Sequence, residues 1–385
     1  MTPIHRRRLT PLRYASLLAA IVLAVAACGS SAPTPSPSSP PSATPNAPTP
    51  VPTAQDPTEI YAAIEEQVLA IRGLEAKSPV NPKVLDDAGI KKLTQDSFKE
   101  DNPPELIAAN ERMLKMMGLL APDASLTDLY IDLLGSQVAG LYSPDDKQLY
   151  VVSKSGALGP AEKTTFAHEY THALQDQNFD LSGFDLDQVG EGDRAIARLS
   201  LIEGDATLVM SYWQIGNLSQ AELLELLGQG LDPEATRILE EMPTVLRESL
   251  LFPYTTGLTF AQRLQGIGGW EAVDAAFAKP PASTEQVIHP EKYDAAEAPI
   301  AVDLPNDLAA RLGVGWSVAL EDTLGEFQLS IWLSDAGGGT LAGATEAAAG
   351  WGGDRSAVLT GPDGATAVVI ATEWDTAADA TEFAT

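Results

Sequence analysis

The residues best equipped for chemistry are the five of HEYTH, His168 to His172, inside TTFAHEYTHALQDQ. On a helix, His168 and His172 stand one turn apart, and their imidazoles leave one face about 5–6 Å apart at Cβ. Two neutral ring nitrogens at that spacing can reach one zinc ion. Glu169, one residue step round the helix, is placed to hold a water on that ion rather than to bind it. The chain has four histidines in all, so the pair is no by-product of a histidine-rich surface. The bland alternative is a surface helix that carries two histidines without using them.

A catalytic zinc takes three protein ligands and keeps one position open for water, so a third ligand must come from elsewhere. Two candidates follow, each in an E-G-D tripeptide: Glu191 and Glu203. Helical phase separates them. Ile196, Leu199, Glu203, Ala206, Met210 and Trp213 recur at alternating intervals of three and four, which is one stripe of one helix. Glu203 is then an acid within a buried apolar stripe, an expensive position unless it is paired or bound to metal. Gly204 beside it costs about 1 kcal/mol in helix propensity, which makes sense only if another backbone comes close. Glu191 precedes Asp193, which reads as the helix N-cap, so Glu191 is expected in a loop as a solvated acid.

The elements that must position these groups follow from periodicity and caps. The HEYTH helix is expected to begin near Gly159-Pro160, with Pro at its first position, and to run past Gln175. Upstream, Ile60, Ile64, Val68 and Ile71 mark a helix over 57–75. Others run through 105–120 and over 125–137, the last with Ser125 as N-cap. Their apolar stripes read as core. Next, VAGLYSPDDKQLYVVS, 138–153, places two β-rich runs around the type I turn sequence Ser143-Pro144-Asp145-Asp146, hence a hairpin. Downstream, 217–254 predicts two helices and 257–278 two more. His289 precedes Pro290 and is expected in an extended or turn conformation. In the tail, LGEFQLSIWL reads as a helix, 356–374 as a hairpin turned at Asp363-Gly364, and Asp375-Thr376 as a helix start.

The N-terminus suggests a compartment. Arg6, Arg7, Arg8 and Arg13 precede the apolar run ASLLAAIVLAVAA, which is short for a membrane span. The run ends in Val25-Ala26-Ala27-Cys28, which resembles the lipobox of bacterial lipoproteins, where the signal is removed and the cysteine lipidated. Cys28 is the only cysteine, so no intrachain disulfide can form. From Gly29 to Gln55 the chain is rich in Ser, Pro, Thr and Ala without charge, a semi-stiff tether. Net charge is −29, and removing the signal leaves 20 basic residues against 53 acidic ones. A surface so acidic disfavours nucleic acid and anionic lipid as partners.

HEYTH followed by LIEGDAT resembles the gluzincin peptidases. The wider set FAHEYTHALQDQNFDL, LIEGDATLVM, STEQVIHPEKY and AAAGWGGDR resembles a group of secreted or lipid-anchored bacterial proteins described as metallopeptidases, over about residues 125 to 376. The resemblance implies His168, His172 and Glu203 as zinc ligands and Glu169 as general base. It implies a substrate strand before the HEYTH helix, here Gly140, Leu141 and Tyr142, which would pair with a peptide backbone. It also implies a His or Tyr facing the metal to donate to an oxyanion. His289 is the candidate, with Tyr254 and Tyr293 as rivals.

The expected fold is α+β and mostly helical. It comprises a signal over 1–27, a tether over 28–55, a zincin-like metallopeptidase domain over 56–295 and an α+β extension over 296–385, separate or packed on the same domain. The expected function is zinc-dependent peptide-bond hydrolysis on the extracytoplasmic face of a bacterial membrane, acting on a peptide or protein. The rival is a non-catalytic binding lipoprotein on a peptidase-derived fold. The retention of Glu169 and both histidines favours the enzyme, since a decayed site loses these first.

Overall fold

A computed structural model describes residues 18–19, 56–152, 158–229, 233–337 and 341–384. Cys28 and the tether lie outside the described residues, as does all of the signal except Leu18–Ala19. In chain order the elements are β1 (Leu18–Ala19), α1 (Pro57–Arg72), β2 (Lys83–Leu85), α2 (Asp87–Asp101), α3 (Pro104–Met116) and α4 (Leu126–Gln137). The hairpin β3 (Gly140–Ser143) and β4 (Gln148–Val152) precedes α5 (Pro160–Phe179), α6 (Gly192–Asn217), α7 (Gln220–Gln229), α8 (Pro233–Glu241) and α9 (Thr244–Ala278). Then come α10 (Thr284–Ile288), α11 (Pro290–Asp294), α12 (Leu308–Leu312), β5 (Ser317–Asp322), α13 (Gly325–Gly337) and α14 (Leu341–Ala348). The chain closes with β6 (Trp351–Thr360), β7 (Thr366–Trp374) and α15 (Ala377–Phe383). The fold is α+β, mostly helical, with two small sheets. No helix among the described residues is long and apolar enough to cross a membrane.

Local sequence explains the boundaries that matter. Helix α5 opens on Gly159-Pro160, and the Glu162 carboxylate turns back to accept the Gly159 N–H at 3.0 Å. Asp56 caps α1 by accepting from Thr58 N–H at 2.9 Å, and Gly73 ends that helix in the left-handed region at φ 77°. Ser125 caps α4, accepting from the Asp128 N–H at 3.2 Å.

The first sheet has the order β1-β3-β4-β2. Strands β3 and β4 are antiparallel, with Gly140 opposite Val151 and Tyr142 opposite Leu149, and β2 runs parallel to β4. The outer side of β3 takes an antiparallel strand: Leu18 pairs with Tyr142 and Ala19 with Leu141. Helix α5 lies under this sheet, between α1 and α6. Tyr61, Phe166, Tyr170, Leu149, Val151 and Trp213 form one buried cluster there, with the Tyr61 and Phe166 rings 4.4 Å apart. Each such side chain contributes about 1.5–3 kcal/mol when fully buried.

The second sheet is the antiparallel meander β5-β6-β7. Its Trp351 and Val358, with Phe327 and Leu329 of α13, share a cluster with Ile196 of α6 and Phe252 of α9. Buried polar groups bolt this unit to the start of α6. Gly192 N–H donates to Asp322 Oδ1 at 2.8 Å and Asp193 N–H to the Thr323 carbonyl at 3.1 Å, while the Asp193 carboxylate accepts the Thr284 N–H of α10 at 3.2 Å. Within the unit, Asp354 accepts from Leu324 N–H, Gly325 N–H and Trp351 Nε1–H at 3.0, 2.8 and 3.0 Å. Arg355 Nη1 donates to the Gly190 carbonyl at 2.7 Å. STEQVIHPEKY and AAAGWGGDR therefore serve this junction.

Two expectations need correction. Asp193 is not the N-cap: Glu191 occupies the cap position, and Asp193 is buried inside the first turn, where Thr284 satisfies it. The break expected between residues 254 and 257 is absent, since α9 runs through Pro253 and breaks only at Gly268–Gly269, where φ reaches −148° and +64°. Gly257 is there to permit contact, not to end a helix.

Candidate metal centre

Helix α5 carries His168, Glu169 and His172, and α6 carries Glu203; all four are buried. The structure brings His168, His172 and Glu203 together. His168 Nε2 lies 3.0 Å from His172 Nε2 and 3.2 Å from Glu203 Oε2, and His172 Nε2 lies 3.4 Å from the same oxygen. A tetrahedral ion with bonds of about 2.0–2.1 Å spaces its ligand atoms about 3.3 Å apart. The three separations fit that edge length, and two imidazoles with one carboxylate are a donor set that suits zinc. These residues could hold a metal ion.

The electrostatics show what the groups do to one another. Burial disfavours the His168 imidazolium and holds its pKa down. Burial has the same tendency for His172, but the Glu203 carboxylate outweighs it and lifts that ring to about 9. For Glu203, burial favours the neutral acid, yet His172 and His168 together hold the carboxyl at about 2. Glu203 therefore stays ionised at neutral pH.

Two glycines admit the partners that complete the site. A Cβ on Gly204 would lie 2.1 Å from the Gly257 carbonyl oxygen, and one on Gly257 would lie 2.3 Å from the Ser200 oxygen. Helices α6 and α9 thus cross backbone to backbone, which gives Gly204 its reason. The crossing sets Tyr254 beside the cluster, its ring stacked at 6.1 Å on His168 and its hydroxyl bonded to Glu203. Burial first, then the Glu203 and Glu169 charges, push that phenol well above its ordinary pKa, so it remains a donor. A Cβ on Gly140 would lie 2.6 Å from Thr165 Cγ2 and 3.5 Å from Glu169 Cγ. Strand β3 accordingly lies directly over Glu169. Tyr142 pins the strand by donating to Asp176 Oδ2 at 2.7 Å, so its side chain faces the protein, and Leu141 is buried as well.

His289 is placed elsewhere. Its Nε2 sits 2.9 Å from Glu326 Oε1 and its Nδ1 3.8 Å from Glu291, so it belongs to the junction with the C-terminal unit. Tyr293 donates to the Lys279 carbonyl at 2.9 Å and packs on Phe260. Of the three candidates for an oxyanion donor, Tyr254 alone touches the cluster. Another carboxylate group, Glu285, Glu297 and Asp375, closes on the Lys292 ammonium, which lies 2.6 Å from Glu285 and 2.8 Å from Glu297.

Residues 315–385 match a domain of unknown function, DUF8575. No curated protein and no solved structure matches the chain. The matched domain is the C-terminal unit, from the start of the β5-β6-β7 meander onward, and it contains none of His168, His172 and Glu203.

Reading the sequence missed Gln175, Asp205 and Arg72, which stand behind His172. Each left a signal. Gln175 lies three residues after His172 on the same face, Asp205 completes the E-G-D tripeptide, and Arg72 continues the buried Ile64, Val68 stripe of α1 by another interval of four.

Proposed function

We propose that the chain is a zinc-dependent peptidase with a zincin-like catalytic unit, held by a lipid on Cys28 at the extracytoplasmic face of a bacterial membrane. The observation that carries the reading is the convergence of His168, His172 and Glu203 at ligand-to-ligand spacings that fit one tetrahedral ion. When bound, zinc supplies a Lewis acid that acidifies water and polarises a carbonyl.

The chain's own residues do the rest. The outer side of β3 accepts an antiparallel strand, as the pairing with Leu18–Ala19 illustrates, and so binds an extended peptide through its backbone. Glu169, buried under that strand, takes the proton of the attacking water and returns it to the leaving amine. Tyr254 donates its O–H to the developing oxyanion.

The test is zinc content together with chelator-sensitive cleavage of a mixed peptide library by the purified chain. Stoichiometric zinc and cleavage abolished by chelator are expected, and Glu169→Gln should keep the zinc while losing turnover. A chain that binds no stoichiometric zinc, or a zinc-loaded chain that cleaves nothing across the library, overturns the proposal.

A further inference from the structure

We propose that Gln175, Asp205 and Arg72 are positioning residues for the His172 ligand, and that α1 is through Arg72 part of the metal centre. The inference rests on the metal reading above but concerns groups outside the ligand set.

The hydrogen bonds fix their own direction. Gln175 Oε1 lies 2.8 Å from His172 Nδ1, while Gln175 Nε2 lies 3.0 Å from the Ile202 carbonyl and 2.9 Å from Asp205 Oδ2. A carbonyl and a carboxylate only accept, so the amide nitrogen must face them and the amide oxygen must face the ring. A ring nitrogen opposite an acceptor carries the proton. His172 Nδ1 therefore carries a proton, and Nε2, which faces His168 and Glu203, is the nitrogen left to bind a metal.

Asp205 keeps this arrangement only as long as it accepts. Arg72 secures that role, with Nε 2.9 and 3.1 Å from the two Asp205 oxygens. Its Nη2 lies 2.7 Å from Asp274 Oδ1, an ion pair without hydrogen-bond geometry, and its guanidinium carbon stands 4.8 Å over the Trp270 ring. Gln175, Asp205 and Arg72 are each 0 % exposed, so water has no access to take over any of these contacts. If the amide turned over, its N–H would face Nδ1 and move the proton to Nε2, where it would block ligation. The control falls on one ligand only, since His168 Nδ1 has no hydrogen-bond partner among the described residues.

The experiment measures zinc affinity of the full-length chain by competition with a chromophoric chelator, and the visible spectrum of its cobalt(II) form. Gln175→Leu should weaken zinc binding about 10- to 100-fold, the range for loss of an outer-shell partner, and shift the cobalt bands. Arg72→Met should do likewise, and Arg72→Lys should recover part of the loss. In the unaltered zinc-loaded chain, the imidazole 15N spectrum should show His172 protonated at Nδ1, which needs no variant to fold. Variants that bind within threefold of the native chain with an unchanged cobalt spectrum would overturn the positioning role and leave the metal reading standing. So would a His172 proton found on Nε2. A native chain that takes up neither metal sinks both.

Discussion

The sharpest test of this architecture is Gly204→Ala, because two physical effects predict opposite signs. In an isolated helix the change is favourable by about 1 kcal/mol. In the protein, the new methyl would sit 2.1 Å from the Gly257 oxygen, 2.4 Å from its carbonyl carbon and 3.0 Å from Leu258 N. All three are backbone atoms, so no rotamer change relieves the contact. Bringing the carbon from 2.1 Å to an ordinary separation of about 3.5 Å requires the two backbones to part by roughly 1.4 Å at the contact. Overpacking of this kind costs about 1–3 kcal/mol, and a contact against backbone belongs at the upper end. Subtracting the propensity gain leaves a net loss of about 2 kcal/mol.

Gly216 supplies an internal control, since it lies in the same helix and a Cβ there meets nothing within 4 Å. Gly216→Ala should be neutral or stabilising by up to about 1 kcal/mol. Urea unfolding of both variants at matched conditions, with unchanged m-values, reads the difference. Gly204→Ala should also weaken zinc binding, because the displaced backbone carries Glu203. If it proves as stable as Gly216→Ala, α6 and α9 do not cross at these glycines, and the placement of Tyr254 falls with the crossing.

Tyr254→Phe should keep zinc and KM close to native while lowering kcat about 10²- to 10³-fold, the effect of losing one oxyanion donor; less than a threefold loss in steady-state peptide cleavage would count against that role. The junction with the C-terminal unit should weaken as pH rises. Burial lifts Glu285 to about 7 and Asp322 to about 6, and the Glu326 carboxylate raises His289, so these junction groups hold more protons in the folded chain than in the unfolded one above about pH 4. Stability is then lost as pH climbs through these values, up to about 3 kcal/mol from Glu285 alone, and thermal melts at pH 5, 6, 7 and 8 should show Tm falling, less steeply in Glu285→Gln. A Tm that is flat or rising from pH 5 to 7 would refute this.

The grouping of His168, His172 and Glu203 was legible because each inference spans few residues on a regular helix. Phase fixes angle there, and an acid inside an apolar stripe stands out. Gly204 was legible for the same reason, although the identity of the approaching backbone was not. Tyr254 was harder: its place depends on where α9 crosses α6, and crossing points are set by paired small residues far apart in sequence. Residue type alone pointed to His289, the only histidine left after HEYTH downstream of the tether, and type misled. Its partner Glu326 lies in the C-terminal unit, so no local pattern shows that the pair is structural. Strands β2 and β5 and helix α2 went unread because short or polar segments carry little periodicity.

The two E-G-D tripeptides show how far position governs role. In Glu203-Gly204-Asp205, successive residues of one helix point about 100° apart. The three side positions therefore reach three partners: the histidines, the Gly257 backbone, and the Gln175–Arg72 chain. No one of these demands can be moved to a neighbour, because each would then face the wrong element. In Glu191-Gly192-Asp193 the same residues straddle a helix start. Glu191 is the cap, a Cβ on Gly192 would lie 2.9 Å from Asp322 Oδ2, and Asp193 turns to Thr284. Identical chemistry thus fastens a neighbouring unit at one end of α6 and builds an acid–histidine cluster, a crossing and an ion pair at its middle. The difference comes from place in the helix: mid-helix, three consecutive residues face three directions into a buried interior, while at the terminus the Gly192 N–H is free to donate to Asp322 and Asp193 turns outward from the helix to Thr284.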